Sequence, residues 1–419
     1  MTGQRLLVIS HGHPAIKPGG GENAAYALHR AVLALPQCRS IFLAAAPQSS
    51  MDSCCEVSQF DAVGDEWLMH QSDDWLHFQS ACGPNFSSGQ WEWLHDLNPV
   101  VISIHQVMHV GLDFLLRLRE LFPDAKFIYT LHEFLLMCPS NGQLKTQSGS
   151  YCVGPTSWGC SDCLPCQSVR ELHLRELRIE NFLSIVDLFI SPSHIVRDQF
   201  VRWGNCSSDI AVVPNVLPVS ISSDVADADE TTLNHVFAFF GNCSAAKGVD
   251  LVLEAMLNLI RIEPRARLII HGPLENVLQD VGDQDSYAVR IKQLLRQLDE
   301  AAIIAGPYKQ EELPQLMRGI GWVVMASRWL ENAPVVIQEA LACRRPLLVP
   351  AMGGMAEHVR NGLDGLQFTP ESAASLSSLM ALACRDQTIW TNLRVTMAPP
   401  LSAEDALLKH LDLFGWAVD

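Results

Sequence analysis

Residues Ser327 to Glu339 read S-R-W-L-E-N-A-P-V-V-I-Q-E. An apolar run, Trp322 to Ala326, precedes them and has the look of a buried strand. A short polar loop holding Glu331 follows, with Asn332 as the expected N-cap and Pro334 in the first turn, where its missing N–H is harmless. Val335 to Ala342 continue as a helix. Such a helix turns free N–H groups and the positive end of its dipole back toward the loop, a ready place for a phosphate or diphosphate. Glu331 stands just outside that helix start, and Glu339 lies about two turns in, on side chains that lean toward the N-terminus. Carboxylates repel phosphate but accept hydrogen bonds from neutral sugar hydroxyls. Two of them flanking one anion site fit a sugar on each side of a diphosphate, as in a nucleotide sugar. Taken alone, a first-turn acid and a solvated helix glutamate would account for the pair; the strand, cap and proline around them argue otherwise.

The 419 residues suffice for two or three domains with sizeable cores, and 48% hydrophobic against 18% charged content describes a globular chain. A formal charge of −17 argues against nucleic acid as the main partner and against a broad electrostatic dock on anionic lipid. The basic cluster Arg170 to Arg178 is interleaved with Glu171, Glu176 and Glu180 and reads as an exposed helix face. There is no run of 18 apolar residues, so no transmembrane helix is expected, and M-T-G-Q-R-L-L-V-I-S reads as a first strand rather than a signal peptide. The expectation is a cytoplasmic protein, its charge still compatible with a local basic patch at the inner membrane face. Its 13 cysteines are then reduced thiols or metal ligands, not a disulfide framework.

Strand and helix patterns alternate along both halves, which predicts an α/β architecture. Residues 5–10 read as a strand, His11 to Gly21 as a loop with Gly19-Gly20-Gly21, and Glu22 to Leu35 as an amphipathic helix. Gly20 and Gly21 let a ligand approach backbone closely, or merely make the loop flexible. Residues 47–98, with Cys54, Cys55, Cys82, Trp67, Trp75, Trp91 and Trp93, lack a clear period. They are read as a partly irregular region that helps shape an acceptor surface, with core packing as the plainer role for most of the tryptophans. Val100 to His105 and Lys126 to Leu131 are strands, and the second runs into His132-Glu133. Ligands of open α/β sheets sit beyond the carboxyl ends of strands, where a histidine can hydrogen-bond a hydroxyl or exchange a proton, or simply close a turn.

From Cys138 to Cys166 the chain is rich in Cys, Gly, Pro and Ser. Cys160-x-x-Cys163 and Cys163-x-x-Cys166 both have the spacing that lets two thiolates share a tetrahedral zinc, with Cys138 and Cys152 as candidates for the other two ligands and His173 in reserve. Reduced thiols packed as small apolar groups are the other reading. Ser and Asp-rich residues 219–234 form a linker, which sets expected domains at 1–217 and 218–400, with 401–419 as a C-terminal helix. In the second half, Val236 to Phe240 is a strand, Gly241 to Gly248 a loop, and Lys247 stands at the start of the next helix, placed to neutralise a phosphate.

Together these residues resemble the retaining GT-B glycosyltransferases of glycosyltransferase family 4 (glycosyl transferases group 1). The likeness rests on F-F-G-N-C-S-A-A-K-G-V-D-L-V-L-E-A at 239–255, W-L-E-N-A-P-V-V-I-Q-E-A at 329–340 and R-P-L-L-V-P-A-M-G-G-M-A-E-H-V-R-N-G-L-D-G-L at 345–366. Gly19-Gly20-Gly21-Glu22 and Leu131-His132-Glu133 resemble that family's glycine loop and strand-end histidine motif, and the Cys-rich loop is similar to that of one bacterial subgroup. The resemblance implies two Rossmann-like domains facing across a cleft and a C-terminal helix crossing back to the first. It implies a retaining, hexosyltransferase-type enzyme that moves a sugar from a nucleotide diphosphate sugar to an acceptor hydroxyl, in cell-surface polysaccharide or glycoconjugate synthesis. The acceptor would be a glycan, lipid-linked or protein group, and no cofactor would be required for catalysis. Carried over, Glu331 contacts the donor sugar, Glu339 the ribose and His132 the sugar near its reacting carbon. Lys247 and the backbone amides near Pro334 and Val335 hold the diphosphate, Gly20 and Gly21 approach it from the other domain, and Asn242, Asn332 and Ala333 belong to the donor site around it. Most family members have Arg at the place of Asn242; asparagine lacks the charge and the fork, and Arg328 is a candidate replacement. A GT-B hydrolase or epimerase of nucleotide sugars, and a non-catalytic homologue binding a glycan or partner, are the alternatives.

Overall fold

The computed structural model describes the chain except residues 1–2, 18, 52–55, 82–88, 153, 207–208, 217–232, 280–285 and 417–419. Cys54, Cys55, Cys82, the expected boundary at Leu217–Pro218 and most of the expected linker lie outside the described residues. The chain divides into two compact units, Met1–Ser220 with Leu401–Asp419, and Ile221–Pro400.

The first unit opens with β1 (Gln4–Ser10), α1 (Gly20–Leu33) and β2 (Cys38–Ala46). β3 (Val57–Gln59), β4 (Glu66–His70), α2 (Glu92–Leu97), β5 (Val101–Ile104), α3 (Leu112–Leu121) and β6 (Lys126–Thr130) follow. Then come α4 (Ser157–Cys163), α5 (Val169–Leu183), β7 (Leu188–Ser191), α6 (His194–Trp203) and β8 (Ile210–Val212). The strands form one sheet in the order β3-β4-β2-β1-β5-β6-β7-β8, parallel except for the β3–β4 pair. α1 starts two residues earlier than its pattern predicts, so Gly20 and Gly21 are helical and only Gly19 is the extended N-cap. The region without a clear period contributes β3 and β4 to the sheet edge; strands of three and five residues are too short to show alternation. Trp91 is fully buried and Trp67 stacks on Trp93 at 4.8 Å, so these rings pack the fold.

α5 begins with a reciprocal cap: Ser168 Oγ accepts from the Glu171 N–H, and the Glu171 carboxylate accepts from the Ser168 N–H at 2.8 Å. The basic cluster along it does not all face solvent. Arg175 is buried, its fork donating to the Leu76 carbonyl at 2.7 Å and to the Leu135 carbonyl, its plane 4.5 Å from the Phe78 ring centroid. Its position follows from the helix period, which aligns it with Leu172, Ile179 and Phe182 on the inward face.

The second unit runs β9 (Val236–Phe240), α7 (Val249–Ile260), β10 (Arg267–His271), α8 (Leu274–Gln279), α9 (Ser286–Leu298), β11 (Ala302–Gly306) and α10 (Leu313–Arg318). It continues with β12 (Trp322–Val324), α11 (Val335–Ala342), β13 (Leu347–Pro350), α12 (Gly353–His358), β14 (Gly365–Phe368), α13 (Ala373–Arg385) and α14 (Gln387–Thr396). Its sheet is wholly parallel, in the order β11-β10-β9-β12-β13-β14. β9 reads V-F-A-F-F because both its faces are covered. Phe237 and Phe239 join the core under α7, while Ala238 and Phe240 join the core formed with Ile337 and Met355. The last helix, α15 (Ala403–Phe414), belongs to the first unit: Ala406, Leu407, Leu411 and Phe414 share a core with Leu28 and Val32 of α1. Among the described residues no helix is long and apolar enough to cross a membrane.

Candidate functional site

Strand order reverses in each sheet beside the first strand of the unit, between β9 and β12 in the second and between β1 and β5 in the first. Ligands of open α/β sheets lie beyond the carboxyl ends of strands at such switch points. In the second unit this brings the loop after β9, with Asn242 and Lys247, against the loop after β12, with Ser327 to Pro334. The approach requires glycine at Gly248: its φ is +71°, and an added Cβ would collide with the Ala326 carbonyl.

Glu331 is the hub of this cluster. It is 6% exposed, and its Oε1 accepts hydrogen bonds from Lys247 Nζ at 2.6 Å, Ser327 Oγ at 2.6 Å and Trp329 Nε1 at 2.8 Å. Among the described residues none donates to Oε2. Lys247 also lies 5.4 Å from the Trp329 ring centroid, a cation–π distance. The cation read as a phosphate ligand is thus paired with the acid read as a sugar ligand. Glu331's loop is braced from behind by the Gly353-Gly354 turn, where the Gly354 N–H donates to the Glu331 carbonyl at 2.7 Å.

Helix α11 starts later than its sequence suggests. Pro334 is the N-cap, at φ −59° and ψ 121°, and Asn332 and Ala333 lie in the loop ahead of it. The proline disfavours helical backbone in the residue before it, which moves the start to Val335. Val335 and Val336 therefore supply the first helical amides, those without an intrahelical acceptor. Glu339, one turn further in, is 4% exposed; Gln310 Nε2 donates to its Oε1 at 2.5 Å. Burial pushes its pKa up to about 7 against the pull of that hydrogen bond.

Asn242 is exposed, and its Oδ1 accepts from the Ser244 N–H at 3.0 Å, shaping the turn. Arg328 does not replace the absent arginine. Its fork grips buried Asp250 at 2.7 and 2.8 Å, Nη1 also donates to the Ala245 carbonyl at 2.7 Å, and its own N–H donates to the Ala246 carbonyl at 2.8 Å. It holds the 245–247 turn, and with it Lys247, rather than offering a free charge.

In the first unit, the carboxyl ends of β1, β5 and β6 bring His11, His105 and His132 together. His105 Nδ1 and His132 Nε2 are 2.9 Å apart, and His105 Nε2 lies 3.2 Å from Ser103 Oγ. His11 Nε2 pairs with Glu22 Oε1 at 3.0 Å. Burial would raise the Glu22 carboxyl, but the His11 contact brings it below the usual range. Gly21 backs onto both rings: a Cβ there would lie 3.6 Å from His11 Cε1 and 3.9 Å from His132 Cγ. Burial, aided by the His11 charge, lowers the His132 pKa to about 3, and burial holds His105 well below the ordinary value. His11, Glu22, Ser103 and His105, like Ser327, Trp329 and Gln310 in the second unit, were not singled out from the sequence. His105 carries the same signal as His132, a histidine ending an apolar strand.

Cys138, Cys152, Cys160 and Cys163 lie within electrostatic reach of one another. Burial pushes the Cys160 thiol up to about 11, and the other three add to the rise. A hairpin closed by the Lys145–Tyr151 bridge carries Cys152, and its Gln147 donates to the Cys163 carbonyl at 3.2 Å. Among the described residues, however, no group of three or more His, Cys, Asp or Glu side chains is arranged to hold a metal ion. A zinc on these thiols would have to draw them closer together.

Residues 226–398 match the family model described as Glycosyl transferases group 1. The D-inositol 3-phosphate glycosyltransferase of Kribbella flavida is 25% identical over 186 residues, 43% of this chain and 40% of that protein. The chain thus spans about two fifths of that relative's length. Among solved structures, sucrose-phosphate synthase from Thermosynechococcus elongatus aligns over 98% of both chains at 15% identity and a TM-score of 0.69. HepE of Anabaena in complex with UDP and glucose aligns over 98% of this chain and 99% of its own at 15% identity and a TM-score of 0.63. The fold is α/β with two Rossmann-like sheets, that of the GT-B glycosyltransferases. The family match falls on the unit that contains the Lys247–Glu331 cluster.

Proposed function

We propose that the chain is a glycosyltransferase that moves a sugar, with retention of anomeric configuration, from a nucleotide diphosphate sugar to an acceptor hydroxyl. The observation that carries this reading is the Lys247–Glu331 pair at 2.6 Å beside the first amides of α11. A diphosphate at those amides draws Lys247 toward itself. Glu331, held by Ser327 and Trp329, then keeps its Oε2 for a sugar hydroxyl, and Glu339 accepts hydrogen bonds from the ribose. The bond from the sugar C1 to the phosphate oxygen breaks with its electron pair going to the diphosphate, where the helix amides and Lys247 stabilise the charge. The acceptor oxygen bonds to C1 on the same face and its proton passes to the departing phosphate oxygen. UDP-sugars are the first donors to try, since UDP and glucose occupy the structurally similar HepE.

A thermal-shift screen of nucleotide sugars, followed by calorimetry, tests the reading, because a matched donor stabilises the folded chain by RT ln(1 + c/Kd), which rises with the ratio of its free concentration c to its Kd. Lys247→Ala and Glu331→Gln should each lower turnover by about 10²–10³-fold, the scale of losing one transition-state donor. Wild-type rates in both folded variants would remove the assigned roles. Sugar release at full rate without any acceptor would instead indicate a hydrolase.

A further inference from the structure

The Ser103–His105–His132 chain carries an inference about proton placement, which rests on the transfer reading for its functional meaning. Ser103 is 1% exposed and His105 is 3% exposed. Their hydrogen-bond partners are complete in one arrangement only. If His105 held its proton on Nε2 and gave it to Ser103 Oγ, the serine hydroxyl hydrogen would be buried with no acceptor, since the described residues offer Ser103 Oγ no partner but His105 Nε2. With the serine donating to His105 Nε2, the His105 proton sits on Nδ1 and is given to His132 Nε2. His132 Nε2 is then an acceptor, and a neutral His132 carries its proton on Nδ1.

We propose that Ser103 and His105 are positioning residues that hold His132 as the Nδ1–H tautomer, so that His132 gives a hydrogen bond to a ligand oxygen and does not take a proton from it. The groups around the ring agree. His11, Glu22 and His410 are the titratable neighbours that act on His132, and burial keeps both members of the pair neutral at ordinary pH. A base at this position would need a proton-accepting nitrogen facing the ligand; the chain from Ser103 assigns the accepting nitrogen to the His105 side. A donor here suits a sugar hydroxyl or ring oxygen. Proton removal is left to the departing phosphate, as in the transfer reading.

Imidazole ¹⁵N NMR of the uniformly labelled full chain tests the proposal without any donor, the His132 signals being assigned by their loss in His132→Gln. The expected result is a protonated Nδ1 and a bare Nε2 on His132. In Ser103→Ala, which replaces a buried hydroxyl by a smaller group, a measurable Nε2–H population should appear. In His105→Asn, whose amide can still donate in place of Nδ1, the wild-type pattern should persist, whereas His105→Leu should lose it. With an active donor in hand, turnover should fall about tenfold in His105→Leu, the value of one hydrogen bond, and recover most of that loss in His105→Asn. A wild-type His132 protonated at Nε2 overturns the proposal even if the enzyme transfers sugar. A wild type that binds no nucleotide sugar sinks the transfer reading and leaves the tautomer measurement intact.

Discussion

Replacing Glu339 by glutamine separates what this buried acid costs the fold from what it gives a ligand. The carboxyl has an ordinary pKa of 4.5, and burial pushes it up to about 7. Between those values the folded chain binds more protons than the unfolded one, so stability falls as pH rises through the window. Above pH 7 the ionised group costs on the order of 3 kcal/mol, the free energy of a shift of that size. Glu339→Gln keeps an oxygen for the Gln310 amide but cannot ionise. It should therefore be more stable than wild type at pH 8, with the gap closing toward pH 4.5, as read by urea unfolding. Donor binding should respond in the opposite sense. Ribose hydroxyls donate to the carboxylate, so wild-type affinity should weaken about tenfold per unit as pH falls below 7. The variant should bind about 10–100-fold more weakly at pH 8, the value of hydrogen bonds to a charged acceptor, with no pH slope. Calorimetry from pH 5.5 to 8.5 reads both. A wild-type donor affinity that is flat across this range would refute the reasoning, since the doubly esterified diphosphate of an intact nucleotide sugar does not titrate there and so cannot mask the slope.

Other outcomes follow from the same contacts. Arg328→Ala leaves buried Asp250 with Arg290, at 3.5 Å, as its one basic partner among the described residues, and should cost about 3–5 kcal/mol in urea unfolding; Arg328→Lys should rescue little, lacking the fork. Gly354→Ala drives a Cβ into the Asn332 carbonyl and should cost more than about 3 kcal/mol or abolish soluble expression. Gly362→Ala, at φ +78° with open space around it, should cost only about 1–2 kcal/mol in the same assay. Metal analysis of the purified chain decides the cysteine question: one zinc per chain, lost in the doubly substituted Cys160→Ser, Cys163→Ser protein, is the outcome four-thiolate ligation requires. A metal-free chain whose melting temperature ignores added zinc and chelator would leave these thiols as packing groups.

Much of the fold was legible because parallel sheets buried on both faces spell themselves as apolar runs, V-F-A-F-F at β9 being the plainest. Helix ends were less legible where one local signal overrides another or a contact from a strand end fixes the first turn. Asn332 is a good cap by residue type, yet the proline two residues on resets the start to Val335. Gly20 and Gly21 look like loop, yet they sit in α1, whose first turn is fastened by Glu22 to His11. The sequence marked Glu331, Glu339 and Lys247 as candidates. It had no means of showing that Gln310 meets Glu339 or that Ser327 and Trp329 share an oxygen of Glu331, because those contacts arise only when separate strand ends converge.

The least expected consequence concerns charge. Asn242 removes one cation from the expected phosphate set, and Arg328, the apparent substitute, is spent on Asp250. That leaves Lys247, already paired with Glu331. A diphosphate must therefore compete with a carboxylate for this lysine, and Glu331→Gln weakens the competitor while keeping an oxygen for Ser327 and Trp329. Affinity for the bare nucleoside diphosphate should rise in that variant even as turnover falls. Such a split is hard to obtain from a glutamate that merely supports the loop. If both quantities fall together in a folded Glu331→Gln protein, the acid acts through structure, and the pairing with Lys247 carries no information about the ligand.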